Sequence, residues 1–388
     1  MNYILFDDQK VREDLLPLTF TRPVAEIRFG ISTMREKWER FLGEKTSTLT
    51  EGYLSKKYPL VKGVDNILIN SCVCPTDNLV TQIKNLKTDQ ALIGDEIIVA
   101  MNLSLENLDS MVTSETIEVS LEAETAGISN IWDLFGKLDK TIPIDFKCLT
   151  EGRTSQKVSS TNHIMGDFPI FFEEGAKSEF AFLNATEGPI YIGKNAEVME
   201  GAIIRGPFSL GESSIVRAAA RIYGPTSIGP FCKVGGEVSN SLVMGYSNKV
   251  HDGFLGNSVI GEWCNLGADT NTSNLKNTYD FVRIWNYRQE TFVDTGLQFC
   301  GLIMGDHSKS AINTMFNTGT VVGVSVNLFG AGFPRQFVSS FFWGGFNGLR
   351  KYNINKALQV AEKVFGRRNL EFDKIERDIL VHIHDITL

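Results

Sequence analysis

Residues 190–235 read IYIGKNAEVMEGAIIRGPFSLGESSIVRAAARIYGPTSIGPFCKVG, and every sixth residue from Ile192 onward is aliphatic. A period of six fits neither the 3.6 residues of a helical turn nor the two-residue alternation of a strand, so it indicates a structural repeat. Each hexad predicts a short strand and a turn, with three hexads closing one coil of a parallel β-helix. The aliphatic residues that should point inward are Ile192, Val198, Ile204, Leu210, Val216, Ile222, Ile228 and Val234.

The repeat continues beyond Val234 with changes of register. After a slip of two residues it resumes as Leu242, Asn248, Phe254, Ile260 and Leu266. It breaks between about Ala268 and Gln298 and returns as Met304, Ser310, Phe316, Val322 and Leu328. The pattern therefore predicts about six coils and a protruding loop. Such a loop usually binds the ligand of a solenoid, because stacked coils leave few convergent groups.

Composition excludes several classes of function. The chain has 388 residues, 22% of them charged, and a net charge of −8, so a nucleic-acid partner is not expected. Cys72 and Cys74 form a CxC with no second pair, which disfavours a zinc site. The amino terminus does not resemble a signal peptide, and no apolar run reaches the roughly 20 residues of a membrane span. We therefore expect a cytoplasmic protein that does not act at a membrane.

The chain divides into three predicted segments. Residues 1–185 read as an α/β domain with a mostly parallel sheet, because short apolar strands at 3–6 and 66–70 alternate with amphipathic helices at 32–42 and 76–86. Ser32 is expected to cap the first of these helices, and Thr76 or Asp77 the second. Residues 186–335 form the β-helix. Residues 336–388 contain an aromatic cluster, which should cap the open end of the coil, and a helix over 357–368.

The amino-terminal segment resembles a known family. The run Pro17-Leu18-Thr19-Phe20-Thr21-Arg22-Pro23 is similar to the P-L-T-x-x-x-P signature of sugar-1-phosphate nucleotidyltransferases. In that family a glycine-rich loop before the signature binds the nucleotide phosphates, and an aspartate after a central strand holds Mg²⁺. The resemblance implies a nucleotidyltransferase-like, Rossmann-like domain.

This segment departs from the family pattern at its loop. Residues 7–13 read DDQKVRE without a glycine, Val24 replaces an expected lysine, and Asn70-Ser71 stands where Gly-Asp would hold the metal; the Gly94-Asp95 pair comes one helix later. Side chains and two carboxylates hinder the approach of backbone N–H groups to a polyphosphate. Two interpretations stay open: an altered nucleotidyl transfer that uses Arg12, Lys10 and Asp7 or Asp8, or a domain that keeps only the fold. Arg22 and Arg28 are candidates for contact with an anion.

The combination of the two parts is more specific than either alone. It resembles the bifunctional N-acetylglucosamine-1-phosphate uridyltransferase and glucosamine-1-phosphate acetyltransferase family, in its divergent branch typical of the Bacteroidetes. The resemblance extends through residues 188–193, 249–256, 266–276 and 303–306. It implies a left-handed β-helix, a homotrimer and acetyl-CoA bound in the groove between neighbouring coils.

The resemblance also suggests site residues. His251, in Lys249-Val250-His251, matches the histidine that acts as the base for the substrate amine in such acetyltransferases. Residues 267–276 resemble the loop that follows the catalytic coil, so the sugar phosphate would meet Asn271, Asn274, Lys276 and Lys249. Acetyl-CoA would meet Ala268, Thr270 and Ser308. His307 could contact the same cofactor, although a structural role is favoured.

Three functions are compatible with the sequence. The leading hypothesis is acetyl-CoA-dependent N-acetylation of an amino-sugar 1-phosphate, coupled to a nucleotidyltransferase domain that makes a UDP- or dTDP-sugar from UTP or dTTP with Mg²⁺ for envelope polysaccharide. The second is a nucleotidyltransferase whose β-helix only trimerises it. The third is a sugar-phosphate binding protein without catalysis.

Overall fold

The structure, a computed structural model, describes residues 1–94, 96–108, 110–111, 113–120 and 127–388. Contacts divide the chain into two compact units. The first contains Met1–Leu15, Thr19–Ile27 and Ser32–Ile131, and the second contains Leu16–Leu18, Arg28–Ile31 and Trp132–Leu388. Residues 132–185 thus pack with the β-helix, whereas the sequence analysis grouped them with the α/β segment.

The first unit is an α/β domain around a mixed sheet. Its elements are β1 (Asn2–Phe6), α1 (Gln9–Asp14), α2 (Met34–Leu42), β2 (Thr46–Leu49), β3 (Asp65–Asn70), α3 (Asp77–Lys84), β4 (Gln90–Gly94), β5 (Ile97–Ser104) and β6 (Glu115–Glu118), with short 3-10 turns at Leu18–Phe20 and Val24–Glu26. The strand order is β2-β1-β3-β5-β4-β6. β1 is parallel to β2 and β3, and β5 is antiparallel to both β3 and β4. The sheet is thus less parallel than the alternating pattern predicted.

The predicted elements of this unit are confirmed with one change at a cap. Thr33, and not Ser32, caps α2, because its hydroxyl accepts from the backbone N–H of Glu36 while the Glu36 carboxylate accepts from that of Thr33. Thr76 caps α3 in the predicted manner. Apolar side chains of β1 and β3 are fully buried beneath the helices and supply the core of the domain.

The second unit begins with α4 (Asp133–Gly136) and α5 (Leu138–Thr150), followed by a three-sided parallel β-helix. We name its sides by their strands. Face 1 contains His163–Met165, Phe182–Asn184, Ile203–Arg205, Arg221–Tyr223, Glu237–Ser239 and Phe254–Gly256; the pair Asn271–Thr272 and Met315–Phe316 follows them. Face 2 contains Ile170–Phe172, Ile190–Ile192, Phe208–Leu210, Thr226–Ile228, Leu242–Val243, Val259–Ile260, Ile303–Met304, Val321–Val322 and Phe337–Val338. Face 3 contains Lys177–Ser178, Glu197–Val198, Ile215–Val216, Lys233–Val234, Asn248–Lys249, Asn265–Leu266, Lys309–Ser310, Asn327–Leu328 and Phe342–Gly345, with Gly348–Lys351 antiparallel at its end.

The period of six determines the core of the coil. All eight aliphatic residues predicted to point inward are at most 1% exposed and lie in one continuous hydrophobic cluster. Burial of one such side chain contributes about 1.5–3 kcal/mol, so the stack is the main source of stability in this unit. The predicted fold class, an α/β domain followed by a hexapeptide-repeat β-helix and a helical tail, is confirmed.

The register predicted after Val234 is wrong by one residue over three steps. The inward residues are Val243, Lys249 and Leu255, whereas the sequence analysis expected residues 242, 248 and 254. The corner at Gly235-Gly236 is two residues shorter than its predecessor, and the corner at 240–241 is one residue shorter than its own. In a strand, a shift of one residue moves every side chain to the opposite side.

The later coils follow the prediction. The residues at 304, 310, 316, 322 and 328 are at most 4% exposed. The break is shorter than expected, because the strand Asn271–Thr272 still belongs to the coil. Beyond it the chain forms a hairpin of Arg283–Asn286 and Thr291–Asp294 before it rejoins face 2 at Ile303.

Two helices complete the chain, α6 (Ile354–Gly366) and α7 (Lys374–Thr387). Leu358, Ala361 and Phe365 are buried on α6, as the sequence pattern predicted, and α7 was not anticipated. None of the helices in the described ranges is long and apolar enough to cross a membrane.

Candidate functional site

His251 lies at the corner between faces 3 and 1, directly after the strand Asn248–Lys249. Its side chain is exposed, and within the part of the chain that the structure describes its imidazole makes no hydrogen bond. Its backbone is held, since the carbonyl accepts a hydrogen bond of 3.0 Å from the ammonium of Lys249. The corner thus presents an imidazole to solvent from a fixed main chain.

The shortened corner of the preceding coil lies directly against this histidine. Gly236 has a φ of +67°, and a Cβ atom there would lie 2.8 Å from the carbonyl oxygen of His251. A Cβ atom at Gly235 would lie 2.2 Å from the carbonyl oxygen of Val250. Only glycine allows so close an approach of two backbones. The sequence pattern showed only a change of register after Val234. It did not predict that Gly235 and Gly236 support the main chain of His251.

The next coil places the two predicted asparagines at opposite ends of face 1. The backbone N–H of Asp269 donates to the carbonyl of Asp252 over 3.0 Å, so the two corners are stacked. The side-chain oxygen of Asn271 accepts from the N–H of Phe254 (2.9 Å), and its amide nitrogen donates to the carbonyl of Asp269 (2.9 Å). The amide nitrogen of Asn274 donates to the side-chain oxygen of Asn257 (2.8 Å), beyond the far end of the strand Phe254–Gly256. Asn271 therefore lies beside the corner of His251, whereas Asn274 lies at the next corner.

The two predicted lysines occupy different environments. Lys276 is half-buried and donates to the carbonyl of Phe281 over 2.7 Å, which leaves two N–H groups for an anion. Lys249 is 3% exposed and points into the coil. Burial lowers the pKa of Lys249 from 10.5 to about 8. We therefore revise the prediction that Lys249 binds the phosphate, because its ammonium is turned away from a ligand.

The residues predicted to contact acetyl-CoA are mostly inside the coil. The hydroxyl of Ser308 donates to the carbonyl of Gly323 (2.6 Å) and accepts from the N–H of Val326 (3.0 Å). The hydroxyl of Thr270 pairs with that of Ser310 at 2.9 Å. Both groups are at most 1% exposed, so their geometry gives them a structural role. Ala268 is half-buried at the corner beside Asp269 and stays a candidate.

His307 belongs to a stack of aromatic rings along the corner between faces 2 and 3. Its ring is parallel to Trp263 at 6.2 Å and to Phe365 of α6 at 6.1 Å, and Trp263 stacks on Tyr246 at 4.2 Å. The imidazole is 8% exposed. This environment agrees with the structural role favoured for His307 by the sequence analysis.

Face 1 carries exposed apolar side chains on its outer surface. Phe182 is 47% exposed, Ile203 43% and Tyr223 39%. Face 2 contrasts with it, because α5 packs there, where Phe146 contacts Tyr191 edge to face at 6.4 Å. Phe182 and Ile203 are neighbours on adjacent strands, and the ion pair of Arg221 and Glu237 follows on the next two. The apolar surface thus lies over the first coils of face 1.

Most candidate residues of the first unit form contacts with other residues of that unit. Arg12 is 5% exposed; its guanidinium donates to the hydroxyl of Tyr53 (2.9 Å) and lies 3.8 Å from the carboxylate of Asp7. Asp7 also accepts from the N–H of Val24 (2.8 Å) and the hydroxyl of Thr50 (2.5 Å). Burial raises the pKa of Asp7 although these partners oppose it. Arg12 thus stabilises the domain and is not open to a substrate, while Lys10 is exposed.

The loop without glycine forms α1, which Asp8 caps by accepting from the N–H of Val11 at 3.0 Å. Arg22 is buried as well. Asn70, at the position of the family's metal ligand, uses its side chain within the sheet edge, donating to the carbonyl of Ile98 and accepting from the N–H of Cys72. No group of three or more potential metal ligands occurs among the described residues, and Asp95 lies outside them. The side chain of Asn70 is thus occupied by hydrogen bonds within the domain.

Comparison with known proteins identifies the first unit most directly. Residues 3–154 match a family model described as "Sugar nucleotidyl transferase". The chain is 34% identical over 87 residues to the bifunctional protein GlmU of Methanocaldococcus jannaschii, which covers 22% of this chain and 21% of that protein. GlmU of Methanococcus aeolicus is 33% identical over the same length, with 22% and 20% covered. The chain thus spans about a fifth of the length of these relatives.

Among solved structures, the Arabidopsis UDP-N-acetylglucosamine acyltransferase is similar at 14% identity, with 53% of this chain and 77% of that one covered and a TM-score of 0.24. The match of residues 3–154 to the sugar nucleotidyl transferase family model and the similarity to GlmU confirm the resemblance inferred from the sequence.

Proposed function

We propose that the β-helix transfers the acetyl group of acetyl-CoA to the amine of an amino-sugar 1-phosphate, with His251 as the general base. The observation that carries this proposal is an exposed imidazole on a fixed corner, with Asn271 on the coil stacked against it. The test is release of CoA thiol in the presence of glucosamine 1-phosphate, compared between the wild type and His251→Ala.

The chemistry needs one proton acceptor. The sugar amine attacks the thioester carbonyl carbon, the C–N bond forms, and His251 removes a proton from the nitrogen. When the tetrahedral intermediate collapses, the C–S bond breaks and the proton passes to the departing thiolate, so the products are an amide and free CoA. Asn271 and Asn274 would hydrogen-bond the sugar hydroxyls, and Lys276 would pair with the phosphate.

The proposed reaction uses cytoplasmic metabolites, and its product would supply nucleotide sugars for envelope polysaccharide.

We also propose that the chain assembles as a homotrimer through face 1. A neighbouring copy that packs on face 1 would add a second wall to the acetyl-transfer site and a groove for acetyl-CoA.

Phe182→Asp is expected to shift the assembly towards monomer, because it places a charge beside the exposed side chain of Ile203 on face 1. Light scattering across a concentration series measures the mass. Val64→Asp is the matched control, since Val64 is 82% exposed in the first unit and the same charge there leaves the assembly unchanged. A wild type that remains monomeric at high concentration would contradict the proposal.

A second candidate activity is nucleotidyl transfer by the first unit, which the family match over residues 3–154 favours. Release of pyrophosphate from UTP or dTTP, with a sugar 1-phosphate and Mg²⁺, tests it. Lys10→Ala would abolish that release if the exposed lysine of α1 contacts the phosphates. Since the side chains of Asp7, Arg12 and Asn70 form hydrogen bonds within the domain, we expect little or no release of pyrophosphate. A protein inactive in both assays that still binds a sugar phosphate would be a binding protein.

A further inference from the structure

Lys249 occupies a position where the neighbouring coils bury aliphatic side chains. Along face 3 the inward residues of the two preceding coils are Val216 and Val234, and the following one is Leu266. Lys249 is 3% exposed in this stack. An ammonium group taken out of water is costly unless it is hydrogen-bonded, so the core tolerates this lysine only through its partners.

Those partners are main-chain oxygens of two successive corners. The ammonium donates to the carbonyl of Gly235 over 2.9 Å and to that of His251 over 3.0 Å. Gly235 lies in the shortened corner of the coil before, and His251 lies two residues after the lysine itself. One buried side chain therefore ties the corner that carries the imidazole to the corner that supports it.

The charged groups that face Lys249 come from the neighbouring corners and from face 1. Asp252, Asp269 and Glu237 stabilise the ammonium form, and Arg221 opposes it. Burial is nevertheless the largest influence, and it lowers the pKa of Lys249 to about 8. At neutral pH the side chain is thus mainly an ammonium that donates to both carbonyls.

We propose that Lys249 is a positioning residue. It fixes the main chain of His251, so that the imidazole stays at a constant distance from the coil and within reach of the substrate amine. This inference rests on the proposed acetyl transfer. It replaces the phosphate-binding role expected for Lys249, and it explains why a lysine interrupts an aliphatic stack beside the candidate base.

The kinetic test uses Lys249→Met, which keeps the length and apolar contacts of the side chain and removes the donors. We expect kcat of thiol release to fall by about 10–100-fold while KM for acetyl-CoA changes little, because misplacing a catalytic group by about 1 Å costs on that order. Val216→Ala is the control: it opens a cavity two coils away, lowers the melting temperature and leaves kcat unchanged. Equal kcat values in Lys249→Met and the wild type would overturn the proposal.

A second readout does not depend on activity. The imidazole NMR signals of His251 can be assigned among the five histidines by comparison with His251→Ala. In Lys249→Met we expect them to broaden or double, and unchanged signals would count against positioning even in a protein that does not acetylate. If Lys249→Met does not fold, Lys249→Gln retains a shorter donor and should give an intermediate kcat and intermediate line widths. Absence of acetyl transfer in the wild type contradicts the proposed function alone.

Discussion

His251→Ala is expected to lower acetyl-CoA-dependent thiol release by about 10²–10⁴-fold, the usual contribution of a general base. The amine of an amino sugar must lose a proton as it attacks, and water replaces the imidazole poorly in that task. The loss should appear in kcat, with KM for acetyl-CoA nearly unchanged, since the exposed ring makes no hydrogen bond that supports the coil. Melting temperature should stay within about a degree of the wild type for the same reason.

His384→Ala is the matched control for this prediction. His384 lies on α7, packs edge to face on Phe341 at 5.3 Å and is far along the chain from the candidate site. Its removal should leave thiol release unchanged. A wild type that releases no thiol with any of several amino-sugar 1-phosphates would contradict acetyl transfer, and a His251→Ala variant as active as the wild type would contradict the role of the base.

Gly236→Ala is expected to damage both stability and activity. Gly236 has a φ of +67°, and its new Cβ atom would lie 2.8 Å from the carbonyl oxygen of His251. The left-handed backbone costs a non-glycine residue about 1–2 kcal/mol, and the collision adds to it, for a loss of roughly 3 kcal/mol in the free energy of unfolding. Because relief of the collision moves the corner of His251, we also expect kcat to fall by at least about tenfold.

Gly201→Ala separates the two causes. Gly201 lies at the corresponding corner of an earlier coil with a φ of +72°, but a Cβ atom there would meet nothing closer than 3.8 Å. Ala219, in the next coil, already adopts a φ of +57°. Gly201→Ala should therefore cost only about 1 kcal/mol, measured by chemical denaturation, and should not change kcat. Equal losses in the two glycine variants would show that backbone strain alone matters.

The period of six was sufficient to predict the β-helix, its eight aliphatic inward residues and the later positions from 304 to 328. These predictions succeeded because each inward residue fills the same narrow interior, which selects aliphatic side chains. His251 was predicted to be the base from its resemblance to acetyltransferases, and the structure places its side chain exposed at a corner. The short signature at residues 17–23 predicted the match of residues 3–154 to a sugar nucleotidyl transferase family model, whereas the hydrogen bonds of residues 7–13 could not be predicted from it.

What the sequence could not determine is the side of the coil on which polar residues lie. Lys249, Thr270 and Ser308 have polar side chains that predict exposure, yet all three are buried. For Lys249 the cause is the corner at 240–241, which is one residue shorter than expected and shifts the register. Inside the coil these three side chains form hydrogen bonds with main-chain carbonyls or with another hydroxyl. In the first unit, the sequence made Arg12 a candidate for contact with a substrate. The structure instead places its guanidinium beside Asp7 and Tyr53. The repeat thus follows from local periodicity, whereas the identity of the groups that face a ligand is decided by corner lengths and long-range hydrogen bonds, which exist only in the tertiary structure.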